Sequence, residues 1–169
     1  MQNRVRDLAL FNLALDSKLR GCDLVRLRIT DVTHRGRGIS RASVMQQKTH
    51  QPVQFEITRE TRESISVWSR AAKLTVKDYL FPNRISNSPH FSTWQYARIA
   101  HQWFESIELD PCLYDTHSMR TTKATLIYQR TKNLRAVQLL LGHTKLESTV
   151  RYLGVEFHDA LELAEQTEI

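Results

Sequence analysis

The sequence is poor in cysteine and in long apolar runs. Only two of its 169 residues are cysteines, Cys22 and Cys112, which lie far apart and form no C-x-x-C pair. This argues against a disulfide scaffold or a zinc ribbon and favours a reducing compartment. No apolar run approaches the ~20 residues that a membrane span needs. The N-terminal apolar stretch is broken by Asn12 and ended by Asp16, with no signal-peptide cleavage site after it. We therefore expect a cytoplasmic protein without a membrane partner.

Several catalytic motifs are missing as well. The sequence has no G-x-x-x-x-G-K-[ST] phosphate-binding loop, no G-x-G-x-x-G fingerprint, no G-x-S-x-G nucleophile elbow and no H-E-x-x-H zinc motif. Its acidic residues do not form a D-x-D or D-x-[DN]-x-[DN] metal site. Nucleotide hydrolysis and two-metal nuclease chemistry are therefore poorly supported.

The charge that is present is basic and rich in arginine. Lys and Arg number 24 against 18 Asp and Glu, for a net charge of +6, and 17 of the 24 are arginines. Arginine favours bidentate recognition of phosphate or carboxylate, whereas residues 153–169 hold five acidic side chains and no basic one. A basic body with an acidic tail fits a polyanionic partner, although an ordinary solvated basic surface fits the composition equally well.

The hydrophobic pattern predicts one mainly helical α+β domain. At 41% hydrophobic residues the chain can bury a core. Alternating residues predict a β-hairpin with Lys48 near its tip, extended structure begins at 29–33, and helices fill the rest. The predicted strands are 39–46 and 53–58, and the predicted helices are 5–15, 23–28, 60–73, 92–107, 117–130, 133–142, 146–152 and 156–166.

Cap residues and apolar positions refine these helices. Thr58, Thr116 and Asn133 are predicted N-caps, and Gly142 is a typical left-handed C-terminal residue. Ser92 or Thr93 is predicted to open the helix at 92–107. The predicted buried side of the helix at 60–73 consists of Ile65, Val67, Trp68 and Ala72.

Reactive side chains concentrate in the last third of the chain. His117 and Arg120 are spaced i, i+3 and so share a helix face. His143 directly follows a predicted helix end, and Tyr152 comes nine residues later. Arginines can neutralise charge that develops on a phosphodiester. A tyrosine hydroxyl, with an ordinary pKa of ~10, needs such a cationic pocket to become a nucleophile. Each residue alone is more often structural, but the combination favours attack on a phosphodiester.

The order H-x-x-R, L-L-G-H and a tyrosine nine residues later resembles the tyrosine recombinases, or phage integrase family. Residues 19–27 (LRGCDLVRL) are similar to the family's first-arginine box, often L-R-x-x-E-L-x-x-L, with Asp23 replacing the common Glu. Lys48 stands where the family keeps a mobile lysine, and residues 79–82 (YLFP) are similar to its L-F-P segment. The resemblance implies a single integrase-type catalytic domain over residues 1–169.

This resemblance also implies an activity on double-stranded DNA. Tyr152 would be the nucleophile that forms a 3′-phosphotyrosyl bond and frees a 5′-hydroxyl, while Arg20 and Arg120 clamp the scissile phosphate. The 5′-hydroxyl of a second strand would then attack the adduct and rejoin the DNA. The implied function is site-specific recombination.

Three further residues complete the implied catalytic set. Lys48 would protonate the departing 5′-oxygen, His117 would assist proton transfer at the tyrosine, and His143 would donate a hydrogen bond to a non-bridging oxygen. Because the covalent intermediate keeps the energy of the phosphodiester, the resemblance implies no ATP, metal or other cofactor. Met119 and Thr121 depart from the frequent family pattern His-x-Leu-Arg-His/Arg, and Met119 still offers an apolar face.

The ends of the chain give two further expectations. Family members usually carry an N-terminal core-binding domain, and we expect it to be absent here because the sequence begins almost at the first-arginine box. Residues 153–169 are predicted to form an acidic amphipathic helix. It would either mediate a homo-oligomer on DNA, as the family implies, or fold back on its own core. Lys123, Arg135 and Arg151 are candidate contacts to the DNA backbone.

Other interpretations remain open at this point. Residues 133–152 read as helix, turn and helix, which would also suit a non-catalytic DNA-binding module. A catalytically impaired integrase remnant and a topoisomerase-like relaxer without site choice are further alternatives.

Overall fold

A computed structural model describes residues 2–83 and 88–153 of the chain. The predicted acidic helix at 156–166 lies outside these residues. The described part is mainly helical with two small antiparallel hairpins, which confirms the α+β prediction. Its helices are α1 (Gln2–Ser17), α2 (Gly21–Leu24), α3 (Ile29–Val32), α4 (Arg59–Ala71), α5 (Thr93–Glu105), α6 (Thr116–Thr131), α7 (Leu134–Leu141) and α8 (Leu146–Leu153).

The strands form two separate two-stranded sheets. In the first, β1 (Thr33–His34) pairs with β2 (Arg37–Gly38) around a tight turn that the sequence did not predict. In the second, β3 (Arg41–Met45) pairs with β4 (Pro52–Glu56), which confirms the predicted hairpin with shorter strands. The turn of this second hairpin carries Lys48.

Helix ends follow the local hydrogen-bonding residues. Thr58 and Asn133 cap α4 and α7 as predicted, because their side-chain oxygens accept backbone N–H groups. Ser92 caps α5 in the same way. The prediction that Thr116 caps α6 is wrong by one residue. The Asp115 carboxylate accepts the N–H groups of residues 117 and 118 instead, and Thr116 is the first helical residue.

Three further expectations are corrected. Residues 29–32 are helical rather than extended, because Asp31 accepts the backbone N–H of Arg28 at 2.7 Å and closes a helical turn. The helix predicted at 23–28 is α2, which begins earlier and ends sooner, at 21–24, although Leu24 and Leu27 are buried as expected. Val67 is 46% exposed rather than buried, since it lies on the solvent side of α4.

Two hydrophobic clusters hold the elements together. The larger is built around α1, α4, the β3–β4 hairpin and α5, and it includes the fully buried Leu80 and Phe81 of the segment at 79–82. Trp68 Nε1 donates to the backbone carbonyl of Leu80 at 2.7 Å, which fixes this segment beneath α4. The smaller cluster joins α6, α7 and α8, and Tyr152 packs against it. The three helices of the last third of the chain therefore pack against one another, with Tyr152 at their contact.

Candidate active site

Two arginines approach each other from distant parts of the sequence. Arg20 is half-buried just before α2, and its Nη1 donates to Gln46 Oε1 at 2.8 Å. Arg120, on α6, is only 3% exposed, and its Nη2 donates to the backbone carbonyl of Leu141 at 2.7 Å. Neither guanidinium forms an ion pair with a carboxylate of the described residues. Both positive charges thus remain available to an anionic ligand.

The turn between α7 and α8 presents His143 to this pair. Gly142 ends α7 with φ of 63°, as its predicted role at the helix end requires. The following backbone is held by Gln138, whose Nε2 donates to the His143 carbonyl at 3.1 Å. On the imidazole, Nδ1 lies 3.1 Å from Thr149 Oγ1, and Nε2 lies 3.5 Å from Arg120 Nη2.

Tyr152 closes the site from α8. Its ring centroid lies 5.3 Å from the Arg120 guanidinium carbon and 5.3 Å from the centroid of the His143 ring, which it meets edge-on. The Tyr152 hydroxyl and Arg120 Nε are both buried and have no hydrogen-bond partner among the described residues. Buried polar atoms normally have partners, so two unpaired ones in a single cationic site indicate a place for a ligand.

The charges of the site follow from burial and from the two arginines. Burial, together with the positive charges of Arg120 and Arg20, lowers the pKa of His143 to about 4, so this imidazole is neutral at physiological pH. Burial also lowers the pKa of Arg120. Burial raises the pKa of Tyr152, while the two guanidiniums act in the opposite direction. The resting phenol is therefore protonated, and only additional positive charge or a proton acceptor can activate it.

Two of the expected catalytic side chains lie outside this cluster of contacts. His117 is exposed in the first turn of α6, where its backbone N–H is held by Asp115. Lys48 is exposed and makes no hydrogen bond or ion pair with other residues that the structure describes. Its turn is nevertheless anchored, because the N–H of Gln47 donates to Asp23 Oδ1 at 2.9 Å. The acidic residue of the first-arginine box thereby connects to the loop that carries Lys48.

The expected DNA-backbone contacts occupy three different environments. Arg151 is exposed on α8, and Arg135 is exposed on α7, where it donates to Gln138 at 2.8 Å. Lys123 is instead drawn into the protein, with its Nζ 2.7 Å from Asp16 Oδ1 and 2.6 Å from Glu56 Oε1. This placement favours a structural role for Lys123 over contact with DNA.

Sequence reasoning missed two polar residues of the site. Gln46 is fully buried against Arg20, and Thr149 is fully buried against His143. A lone glutamine after a strand and a threonine within a helix carry no local signal of such a role. Thr149 lies between the L-L-G-H motif and Tyr152, and only that family pattern could have drawn attention to it.

Within residues 2–83 and 88–153 the structure shows neither a metal-binding cluster nor a membrane-spanning helix. No group of three His, Cys, Asp or Glu side chains there is arranged to hold a metal ion. Nor does any described helix have the length and apolar character of a membrane span.

Solved structures identify the class of fold. The chain is similar to the XerA recombinase, with a TM-score of 0.74 and 20% identity, over 96% of this chain and 56% of that one. It is similar to the XerH site-specific recombinase bound to its difH substrate, with a TM-score of 0.75 and 20% identity, over 96% and 47% of the two chains. The fold is thus that of a tyrosine recombinase catalytic domain.

The family follows from the sequence comparisons. Residues 1–158 match the model of the phage integrase family, and the chain belongs to that family. It is 27% identical over 151 residues to the probable integrase/recombinase YoeC of Bacillus subtilis, covering 89% of this chain and 78% of YoeC. It is 27% identical over 164 residues to the tyrosine recombinase XerC of Mannheimia succiniciproducens, covering 96% of this chain. The chain spans about half the length of that XerC, 53%.

Proposed function

We propose that the chain is the catalytic domain of a site-specific recombinase that cuts and rejoins double-stranded DNA through a covalent bond to Tyr152. The observation that carries this proposal is the pair of unpaired buried atoms, the Tyr152 hydroxyl and Arg120 Nε, in a site where neither Arg120 nor Arg20 pairs with a carboxylate of the described residues. A scissile phosphate would supply acceptors for Arg120 Nε and for both guanidiniums. It would also place phosphorus next to the phenol oxygen.

The reaction follows from the properties of these groups. The Tyr152 oxygen bonds to phosphorus while the bond from phosphorus to the 5′-oxygen breaks, and charge that develops on the non-bridging oxygens is neutralised by Arg20 and Arg120. The phenol proton passes to His117, and the departing 5′-oxygen takes a proton from Lys48. Attack by another 5′-hydroxyl reverses these steps and releases Tyr152. Because every bond broken is replaced by one of similar energy, we propose no cofactor.

His143 acts in this scheme as a neutral hydrogen-bond donor. With its pKa at about 4, the imidazole carries a single proton. If Nδ1 accepts from the Thr149 hydroxyl, which lies 3.1 Å away, the proton resides on Nε2 and faces Arg120. Nε2 then donates to a non-bridging oxygen. Because the Thr149 hydroxyl can donate or accept, it supports the tautomer that the reaction needs once Arg120 Nη2 turns from Nε2 to the phosphate.

Partners and location complete the proposal. Basic side chains exposed around the site, including Arg135 and Arg151, suit the DNA backbone. The acidic, alternately apolar sequence of residues 153–169 suits a contact between subunits on DNA. Both cysteines are free thiols, which suits the cytoplasm, where chromosomal DNA lies in bacteria.

The test is to trap the covalent adduct. The protein is incubated with a pool of nicked duplexes whose sequence around the nick is randomised, so that cleavage releases a short 5′-hydroxyl fragment and leaves the DNA on the protein. We expect a denaturant-resistant adduct with the wild type and with the control Tyr114→Phe. Tyr152→Phe should give none, although it should still bind DNA.

Two outcomes would contradict the proposal. DNA binding without any adduct in the wild type would indicate a non-catalytic binding module. Relaxation of any supercoiled plasmid, with adducts that show no common sequence, would indicate a topoisomerase-like activity instead of recombination.

A further inference from the structure

Gln46 is a fully buried polar side chain at the point where β3 enters the turn that carries Lys48. Its Oε1 accepts from Arg20 Nη1 at 2.8 Å and from Thr49 Oγ1 at 2.8 Å. Its Nε2 donates to the backbone carbonyl of Leu141 at 3.2 Å. Gln46 therefore connects Arg20, the end of α7 and the turn that carries Lys48.

The Leu141 carbonyl extends this connection to the second arginine. It also accepts from Arg120 Nη2 at 2.7 Å, so Gln46 and Arg120 share one acceptor. The next residue, Gly142, makes room for the glutamine. A Cβ at that position would lie 2.8 Å from both Nε2 and Oε1 of Gln46. The close approach of the amide to the α7–α8 turn therefore depends on glycine at this position.

We propose that Gln46 is a positioning residue that fixes Arg20 and the Lys48 turn relative to the Arg120 side of the site. This inference rests on the proposed function. Gln46 is fully buried, so it acts on the reaction through its neighbours and does not touch DNA itself. The nearest catalytic group along the chain is Lys48, two residues further on.

The chemistry of the amide suits this task. Gln46 holds Arg20 by a neutral oxygen, which orients the guanidinium and leaves its positive charge to act on a phosphate. A carboxylate at the same place would hold Arg20 as well, but it would neutralise that charge. The amide also supplies a donor for the Leu141 carbonyl, which a carboxylate lacks.

The experiment compares Gln46→Leu with Gln54→Leu, the same substitution at an exposed position on the paired strand β4. The probe is a nicked duplex recovered from the adduct-trapping pool. Misplacing catalytic groups by about 1 Å costs roughly 100-fold. We therefore expect Gln46→Leu to slow adduct formation by about that factor. Because many phosphate contacts share the binding energy, its DNA affinity should stay within about threefold of wild type. Gln54→Leu should match wild type in both.

A second probe tests the link to Lys48. Replacing the bridging 5′-oxygen by sulfur gives a leaving group that needs no proton, because a thiol has a pKa of only about 8.5. If Gln46→Leu slows cleavage because Lys48 is displaced, the sulfur substrate should restore the rate, because its leaving group needs no proton from Lys48. We expect Gln46→Leu to regain at least about tenfold in rate relative to wild type on this substrate, and Lys48→Ala to regain more.

Thr49→Val provides a second test in case Gln46→Leu fails to fold. It removes only the hydroxyl that donates to Gln46 from the half-buried side of the turn. We expect an unchanged thermal midpoint and a smaller loss of cleavage that sulfur repairs in the same way.

Three results would overturn the inference while wild type still forms an adduct. They are cleavage by Gln46→Leu equal to that of Gln54→Leu, equal losses of affinity and rate, and no repair by sulfur in either Gln46→Leu or Thr49→Val. If the wild type forms no adduct on any duplex, it is the proposed function that fails, which is a separate result.

Discussion

Lys123 is predicted to stabilise the fold rather than to bind DNA. Its Nζ contacts Asp16 at the end of α1 and Glu56 at the end of β4, at 2.7 and 2.6 Å. Lys18, which is 1% exposed, donates to both oxygens of the same Glu56 carboxylate. The perturbation is Lys123→Met, which keeps the aliphatic stem and removes the charge.

The magnitude follows from the burial of the partners. Side-chain exposure is 27% for Lys123, 8% for Asp16 and 40% for Glu56, so this ion pair lies between the buried and surface classes. Breaking a buried pair costs about 3–5 kcal/mol, whereas an exposed pair contributes about 0–1 kcal/mol. In the variant, Asp16 still accepts the hydrogen bond from the Thr61 hydroxyl at 2.6 Å, which limits the loss of stability. We expect a cost of about 2 kcal/mol, or a fall in thermal midpoint of about 4–8 °C for a chain of this size.

The effect should also depend on pH. Burial raises the pKa of Asp16, but hydrogen bonds from Lys123, Thr61 and Thr58 outweigh it and leave the pKa below its ordinary value. The pKa of Glu56 is lowered in the same way by Lys123 and Lys18 against burial. A carboxyl with a lowered folded pKa stabilises the fold above its unfolded pKa of ~4, and this stability is lost as the pH falls through the folded pKa. The loss in free energy of unfolding caused by Lys123→Met should therefore become smaller at acidic pH.

Urea unfolding of wild type, Lys123→Met and the control Arg59→Met measures this directly. Arg59 forms an i, i+4 pair with Glu63 whose side chains are 80% and 64% exposed, so its loss should change the free energy of unfolding much less than Lys123→Met does. Equal stability of the two variants would refute this account of Lys123. A large loss of DNA affinity at unchanged stability would instead establish Lys123 as a DNA contact.

Three further predictions concern the site itself. Arg20→Lys should slow adduct formation roughly 100-fold with little loss of DNA affinity, because a point charge does not replace the planar fork; equal losses in a filter-binding and a cleavage assay would contradict it. His143 has a folded pKa of about 4 against an ordinary 6.5, so the unfolded chain binds more protons between these values. The free energy of unfolding should then fall on acidification across that window, and the fall should be smaller in His143→Gln. Gly142→Ala should lose both stability and cleavage rate, because the new Cβ would meet the Gln46 side chain. The control Gly36→Ala has φ of 75° and open space around it, so it should lose only about 1–2 kcal/mol of stability and no cleavage rate.

Local signals were sufficient for much of the fold. Thr58, Asn133 and Gly142 act at helix ends through hydrogen bonds or backbone angles that involve only near neighbours, so the sequence predicts them. The β3–β4 hairpin is predicted because alternation and a turn occur within a short segment. The β1–β2 hairpin was missed because its strands are two residues long, too short for any alternation to be read.

Long-range contacts explain the remaining differences at the site. His117 and Arg120 could be placed on one helix face by their i, i+3 spacing, but only the family pattern related them to His143 and Tyr152, and no sequence property fixed the distances between the helices. The pairing of Lys123 with Asp16 could not be predicted from the sequence, because Asp16 lies 107 residues away and gives no local sign of it.

The most direct measurement is to locate the DNA on the protein. The adduct formed with the nicked duplex is digested with protease, and the DNA-linked peptide is sequenced by mass spectrometry. The account predicts attachment to Tyr152 and to none of the other four tyrosines of the chain. Attachment to a different tyrosine such as Tyr128, or to a serine, would contradict it.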